Sequence, residues 1–234
     1  MTLIQVEHLQ KEFNIHHLNK TLPAINDISF TVEKGKFLGI VGKSGSGKST
    51  ILKSIYGTYL PQNGAIYYDS EYLGKINIVT ASPREIIQLR KYEIGYVSQF
   101  LSVMPRTTAL ELVEQSLLET GANQEEAYEE AIKTLKHFDL DESLWNNYPN
   151  YFSGGEKLRL NIARAVVKKP RLLLLDEPTA SLDNTSKIKV RESIEKLKAQ
   201  GTTLIGIFHD LEFMDGLCDE VFTMHRAMVS SNEA

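Results

Sequence analysis

The chain has 234 residues, 42% apolar and 24% charged, enough for one sizeable core with a small subdomain. A formal net charge of -4 argues against a protein that works chiefly by neutralising nucleic-acid phosphates, so no nucleic-acid partner is expected. The single cysteine, Cys218, excludes an internal disulfide, "MTLIQVEHLQKEF" lacks the basic and apolar regions of a signal peptide, and no apolar run approaches the roughly 20 residues that cross a bilayer. These features predict a cytoplasmic protein without direct membrane insertion.

Residues 2–8 read as a strand, and "AINDISFTVEKGKFLGIVG" alternates Ile28, Phe30 and Val32 before a turn at Gly35 and a buried run Phe37–Val41, a hairpin feeding a core strand. From Ser49, apolar residues at helical spacing (Ile51, Leu52, Ile55, Tyr56, Tyr59) predict a helix that Pro61 and Gly64 stop. "AIYYDS" and "INIVT" read as strands, Pro83–Lys91 as a short helix, and "EIGYVSQ" as another strand. Between about 104 and 150 the texture turns helical, with Ala127, Ala131, Leu135 and Phe138 forming an apolar stripe. A helix near 155–168, the strand "RLLLLDE", an amphipathic helix near 184–199 ended by Gly201, and the strand "TTLIGIF" follow. Strands alternating with helices predict an α/β fold in one domain over 1–234. Its core sheet is mainly parallel, antiparallel strands lie on the N-terminal side, and a helical subdomain is inserted at about 104–165.

"GKSGSGKST" comprises Gly42, Lys43, Ser44, Gly45, Ser46, Gly47, Lys48, Ser49 and Thr50, and satisfies G-x-x-x-x-G-K-[ST] between a strand and a helix. Its glycines let backbone amides turn toward phosphates, and the helix start adds positive potential. Lys48 is expected on the β- and γ-phosphates and the Ser49 hydroxyl on magnesium. "LLLLDEP" is a strand too apolar for the surface that ends in two carboxylates. Asp176 suits the magnesium shell, and Glu177, pointing the other way from the strand end, suits a general base. "FSGGEKLRLNIARA" places Ser153, Gly154 and Gly155 at a second helix start that can hold an anion. Two such starts make sense if they grip one phosphate from opposite sides, which needs two copies of the chain. His209 follows a buried strand as Asp176 does, so both are expected on one edge of the sheet. Phe13, an aromatic in polar surroundings, fits either half-buried packing or stacking on a base.

In chain order the phosphate loop, Gln99, "FSGGE", "LLLLDEP", "ASLD" and His209 resemble the ATP-binding cassette (ABC) ATPase family over nearly the whole chain. The resemblance implies a P-loop NTPase of the ABC type that takes ATP and Mg2+. It implies a head-to-tail dimer, of two copies or with another ABC ATPase, enclosing two nucleotides. On that basis Ser153, Gly154, Gly155 and Glu156 contact the partner's nucleotide, Asp183 crosses the interface, and His209 is a switch histidine. Gln99 approaches magnesium and the attacking water, and Phe13 stacks on adenine. Phe152 and Glu156 depart from the family's LSGGQ signature, which bears on the hydrolysis rate rather than on ATP binding.

More narrowly, "SIYGTYLPQNG", "YVSQFLSVMPR", "DEPTASLD" and "IGIFHD" resemble the ATP-binding proteins of the bacterial phosphonate carbon-phosphorus (C-P) lyase system. That resemblance implies docking on a C-P lyase core complex, an enzyme assembly that attaches methylphosphonate to ribose triphosphate and later cleaves the C-P bond. The alternative is the motor of an ABC exporter or lipoprotein-extracting transporter, whose ATPases share the P-x-x-T-A-L-E texture behind Gln99.

Overall fold

A computed structural model describes residues 1–15, 20–98, 101, 106–179, 182–208 and 211–224. Strand β1 (Thr2–Ile15) pairs antiparallel with β2 (Lys20–Glu33) and with β4 (Asn63–Ser70), and β4 pairs with β5 (Gly74–Asn77), giving a four-stranded sheet of order β2-β1-β4-β5. Strands β6 (Ile94–Val97), β7 (Leu172–Asp176), β8 (Thr203–Ile207), β3 (Phe37–Gly42) and β9 (Glu220–Met224) form a wholly parallel sheet in that spatial order. The α/β class with separate parallel and antiparallel sheets is as expected.

Three details differ from the sequence reading. The turn at Gly35 does not close a hairpin, because β2 pairs with β1 whereas β3 pairs with β8 and β9. Gly35 instead carries the chain from one sheet to the other, and its amide is held by the Thr203 hydroxyl at 2.9 Å. The first strand is longer than residues 2–8, since bulges after Val6 and Leu9 let pairing with β2 continue to Ile15. The strand expected over "INIVT" stops at Asn77, whose Oδ1 accepts from the amides of Ile66 and Val79, both at 3.1 Å, and turns the chain away.

The four leucines of β7 explain how the layers meet. Leu172 and Leu174 join a core with α1 (Lys48–Ile55) and the antiparallel sheet, whereas Leu173 and Leu175 join a second core with the helices on the opposite face. Alternation along a strand covered on both faces requires such an unbroken apolar run. Between β6 and β7 lie α3 (Ala109–Leu118), α4 (Gln124–His137) and α5 (Gly154–Val166). Thr108 and Glu111 form a capping box that starts α3, and Asn123 caps α4. Along the apolar stripe Ala127 is buried, and Ala131, Leu135 and Phe138 join the same core as Leu173 and Leu204 of the sheet. The helix α2 (Pro83–Tyr92) precedes β6, α6 (Asn184–Ala199) lies between β7 and β8, and α7 (Leu211–Met214) precedes β9.

A buried carboxylate ties the two sheets together. Glu93, 1% exposed, accepts from the Ser70 hydroxyl, from the Glu71 amide at 3.0 Å and from Arg171 Nη1 at 3.1 Å. Arg171 also donates to the Asp69 carbonyl at 2.6 Å, so the end of β4 is clamped to the starts of β6 and β7. Removing Glu93 leaves the largely buried Arg171 with only the Glu71 carboxylate at 3.9 Å as an ion-pair partner, and takes away the acceptor of the Ser70 hydroxyl and the Glu71 amide. Glu93→Ala is therefore expected to lower the free energy of unfolding by about 3 kcal/mol, read by urea denaturation, with nucleotide affinity of the folded protein unchanged.

Candidate functional site

All five core strands run parallel, so the ends of β3 and β7 emerge on one edge of the sheet, where ligands bind in such folds. At the end of β3 the chain enters the phosphate loop, and Gly45 and Gly47 take left-handed φ values of 75° and 92°. Gly47 has no room for a side chain, since a Cβ there would lie 1.9 Å from the Ala24 carbonyl oxygen of β2. It is also the N-cap of α1, with no side-chain cap and no acidic residue in the first turn. The first amides of α1 thus lack the usual internal acceptor, as a phosphate site requires. Lys48, 4% exposed, folds back so that its Nζ donates to the carbonyls of Gly42 at 2.9 Å and Lys43 at 3.1 Å. Beside it the buried Ser46 hydroxyl has no partner among the described residues.

A cleft of about 330 Å³ opens over this loop, walled by Phe13, Ala24, Ser44, Lys48, Thr50 and Glu177 among others. Phe13 projects from β1, where it packs edge-on against Tyr59 at 5.2 Å and under the Lys11 ammonium at 5.2 Å. The ring is partly packed and also walls the cleft.

Asp176 closes β7 and is nearly buried, at 8% exposure. Its Oδ1 accepts from the Ser49 hydroxyl at 2.8 Å, which brings together the two residues expected around magnesium. One carboxylate and one hydroxyl, both hard oxygen donors, suit an ion that keeps waters and takes phosphate oxygens as its remaining ligands. Its Oδ2 accepts from the Tyr96 phenol at 2.6 Å, a contact that no sequence motif announced. Burial, and then the hydrogen bond to Asp176, push the Tyr96 phenol well above its usual range, so it stays protonated and remains a donor. The signal in the sequence was an aromatic with a hydroxyl on the strand "EIGYVSQ", and nothing local linked it to a residue 80 positions away.

Glu177 lies beyond β7, and strand alternation does not set its direction. Its φ of 53° swings the backbone into the left-handed region, and the half-buried side chain enters the wall of the nucleotide cleft. Non-glycine residues adopt this conformation only at a cost, so the surroundings hold Glu177 there.

The remaining expected residues lie elsewhere. Ser153 caps α5: its hydroxyl accepts from the Glu156 amide at 3.3 Å, and the Glu156 carboxylate accepts from the Ser153 amide at 2.8 Å. Gly154 is exposed, and Gly155 packs against Ser186 of α6. None of Ser153, Gly154, Gly155 and Glu156 lines the cleft over the phosphate loop. Asp183 is exposed and caps α6, accepting from the Ser186 amide at 2.9 Å and hydroxyl at 2.8 Å, which holds its carboxyl below the usual range. Gln99 and His209 fall outside the described residues.

This geometry defines a nucleotide-phosphate site with an adjoining place for magnesium, and comparison with known proteins agrees. The sequence pattern of the ABC transporter family matches residues 25–180, and the chain belongs to that family. It is accordingly an ATPase that binds ATP with magnesium. It is 32% identical over 213 residues to the ABC transporter ATP-binding protein YknY of Bacillus subtilis (strain 168), covering 91% of this chain and 89% of that one. It is 36% identical over 209 residues to the lipoprotein-releasing system ATP-binding protein LolD of Shewanella frigidimarina (strain NCIMB 400), covering 89% and 84%. Among solved structures, the dimeric post-hydrolysis state of the ATP-binding cassette MJ0796 bound to ADP and Pi superposes with a TM-score of 0.86 at 29% identity. That match covers 95% of this chain and 94% of the other. Among the described residues no helix is long and apolar enough to cross a membrane.

Proposed function

We propose that the chain is the ATP-driven motor subunit of a larger assembly, working as a dimer in which each ATP is held by one subunit's phosphate loop and the other's α5 start. The observation that carries this reading is the separation of the two anion-binding helix starts. The cleft over α1 includes nothing from Ser153 to Glu156, which supports a second chain bringing its own α5 start to the nucleotide. Facing copies in head-to-tail arrangement complete the set, either of this chain or of this chain with another ABC ATPase.

In this reading Lys48 exchanges the Gly42 and Lys43 carbonyls for the β- and γ-phosphates, which are better acceptors for an ammonium. The amides of the loop and of the α1 start hold the same oxygens. Phe13 stacks on the adenine. Ser49 and Asp176 hold the magnesium ion, and Gln99 approaches it. Magnesium, when bound, spreads the charge that develops on the transferring phosphoryl group. Glu177, turned into the cleft by its backbone, takes the proton of the attacking water. His209 acts as the switch histidine, Ser153, Gly154 and Gly155 reach the partner's γ-phosphate, and Asp183 crosses the interface. Glu177→Gln is expected to bind ATP with unchanged affinity, accumulate as an ATP-bound dimer on size-exclusion chromatography, and lose turnover by at least about a hundredfold. Unimpaired phosphate release by this variant would sink the role given to Glu177.

Two partners fit such a motor, and on either reading the chain acts in the cytoplasm. The names of the relatives support a membrane permease, since one is an ABC transporter ATP-binding protein and another belongs to a lipoprotein-releasing system. The P-x-x-T-A-L-E texture at Pro105–Glu111 supports the same reading. The second reading is a soluble phosphonate C-P lyase assembly, favoured by the resemblance of "SIYGTYLPQNG", "YVSQFLSVMPR", "DEPTASLD" and "IGIFHD" to the ATP-binding proteins of that system. There, ATP-driven closure serves phosphonate catabolism through the formation of ribose methylphosphonate triphosphate and the cleavage of its C-P bond. Purification of the tagged chain from phosphate-starved cells, with mass-spectrometric identification of its companions, separates the two. Integral-membrane subunits support the permease, and soluble phosphonate enzymes support the C-P lyase assembly.

A further inference from the structure

The phenol of Tyr96 approaches the end of β7 from the neighbouring parallel strand. Strand β6 pairs Tyr96 with Leu174, two residues before Asp176, and the long side chain spans the remaining distance to put its hydroxyl 2.6 Å from Oδ2. A hydroxyl-to-carboxylate hydrogen bond of this length is short and charge-assisted. The Ser49 hydroxyl donates to the other oxygen at 2.8 Å, so each carboxylate oxygen has its own donor and the plane of the group is set. Ser49 can keep donating its proton to Asp176 while turning a lone pair outward to a cation, because a hydroxyl both donates and accepts. The Tyr96 hydroxyl, spent as a donor on Oδ2, contributes orientation and charge stabilisation to the carboxylate.

The ring is held as firmly as the hydroxyl. It packs on Tyr56 at 5.0 Å, and the Tyr56 ring also carries the Arg90 guanidinium at 4.5 Å from its centre. Arg90 is itself anchored, donating from Nε to the Tyr56 carbonyl at 2.8 Å. Tyr96 therefore cannot swing away from Asp176 without breaking a side-chain cluster built from the C-terminal cap of α1, from α2 and from β6.

We propose that Tyr96 is a positioning residue for magnesium: by holding Oδ2 it presents Asp176 to the ion together with Ser49. This role rests on reading Ser49 and Asp176 as the magnesium pair. Groups that hydrogen-bond to metal ligands commonly change metal affinity by about 10- to 100-fold when removed. Tyr96→Phe deletes the hydroxyl and keeps the ring stack.

The test is binding of a fluorescent ATP analogue to the full chain, measured without divalent ion and then titrated with Mg2+, with Ser49→Ala alongside. Tyr96→Phe is expected to leave metal-free nucleotide affinity within about twofold of the parent and to raise the Mg2+ concentration for half-maximal tightening about tenfold. Ser49→Ala is expected to shift the same midpoint at least as far. An unchanged Mg2+ midpoint in Tyr96→Phe with a shifted one in Ser49→Ala would overturn the role of Tyr96 and leave the magnesium pair standing. An equal loss of affinity with and without Mg2+ in Tyr96→Phe would mark the residue as structural and overturn the role as well. A flat response in Ser49→Ala would overturn the magnesium pair and the Tyr96 role together.

Discussion

The Asp176 carboxylate is the joint on which the site depends. It receives Ser49 from the first turn of α1 and Tyr96 from β6, at 2.8 and 2.6 Å, and so fixes three elements of the core relative to one another at the edge where the phosphate loop opens. Hydrogen bonds of this kind weaken within a few tenths of an ångström. The depth of β7 in the molecule is therefore set closely, and the unbroken leucine run buried on both faces is what sets it. The phosphate loop is constrained from the other side by Gly47, which passes so close to the Ala24 carbonyl that only glycine fits. Between the strand end and the β2 backbone, the loop has little freedom to be anywhere else.

The two helix starts differ in a way that bears on how a dimer closes. The start of α1 has no side-chain cap and no acidic residue, leaving its amides to a phosphate. The start of α5 is already satisfied by the reciprocal Ser153–Glu156 box, and Glu156 puts a carboxylate beside the serine. A phosphate arriving at α5 competes with this internal cap and meets a like charge, whereas one arriving at α1 meets uncapped amides and Lys48, with the Asp176 carboxylate beside them already held by the Ser49 hydroxyl. In the proposed dimer, that asymmetry suits an order of events in which ATP settles on the phosphate loop first and the partner's α5 follows. The departure from the family's glutamine at Glu156 keeps the capping geometry and adds the charge.

Much of this was legible in the sequence where the signal is local. The spacing in "GKSGSGKST" and the apolar run before Asp176 each lie within one loop or strand, and they located the cleft, the lysine and the Ser49–Asp176 pair. The helices at 83–92, 154–166 and 184–199 announced themselves by caps and periodicity. Pairing was less legible, because a turn at Gly35 looks the same whether it joins strands of one sheet or passes between two. Strand β9 is an edge strand exposed along most of its length, with Met224 as its one buried residue, so its sequence has no clean alternation. The direction of Glu177 came from a backbone dihedral that no side-chain pattern encodes, and the Tyr96 contact came from a register between strands joined only through the intervening helices. Such features belong to the assembled fold.

Asp176 is the proposed charged hold of the protein on magnesium, and Mn2+ used as a paramagnetic stand-in tests that role most directly. Electron paramagnetic resonance of Asp176→Asn with ATP is predicted to show Mn2+ affinity reduced at least about tenfold, with ATP binding in the absence of divalent ions unchanged. Retention of the parent's Mn2+ affinity by this variant would contradict the account.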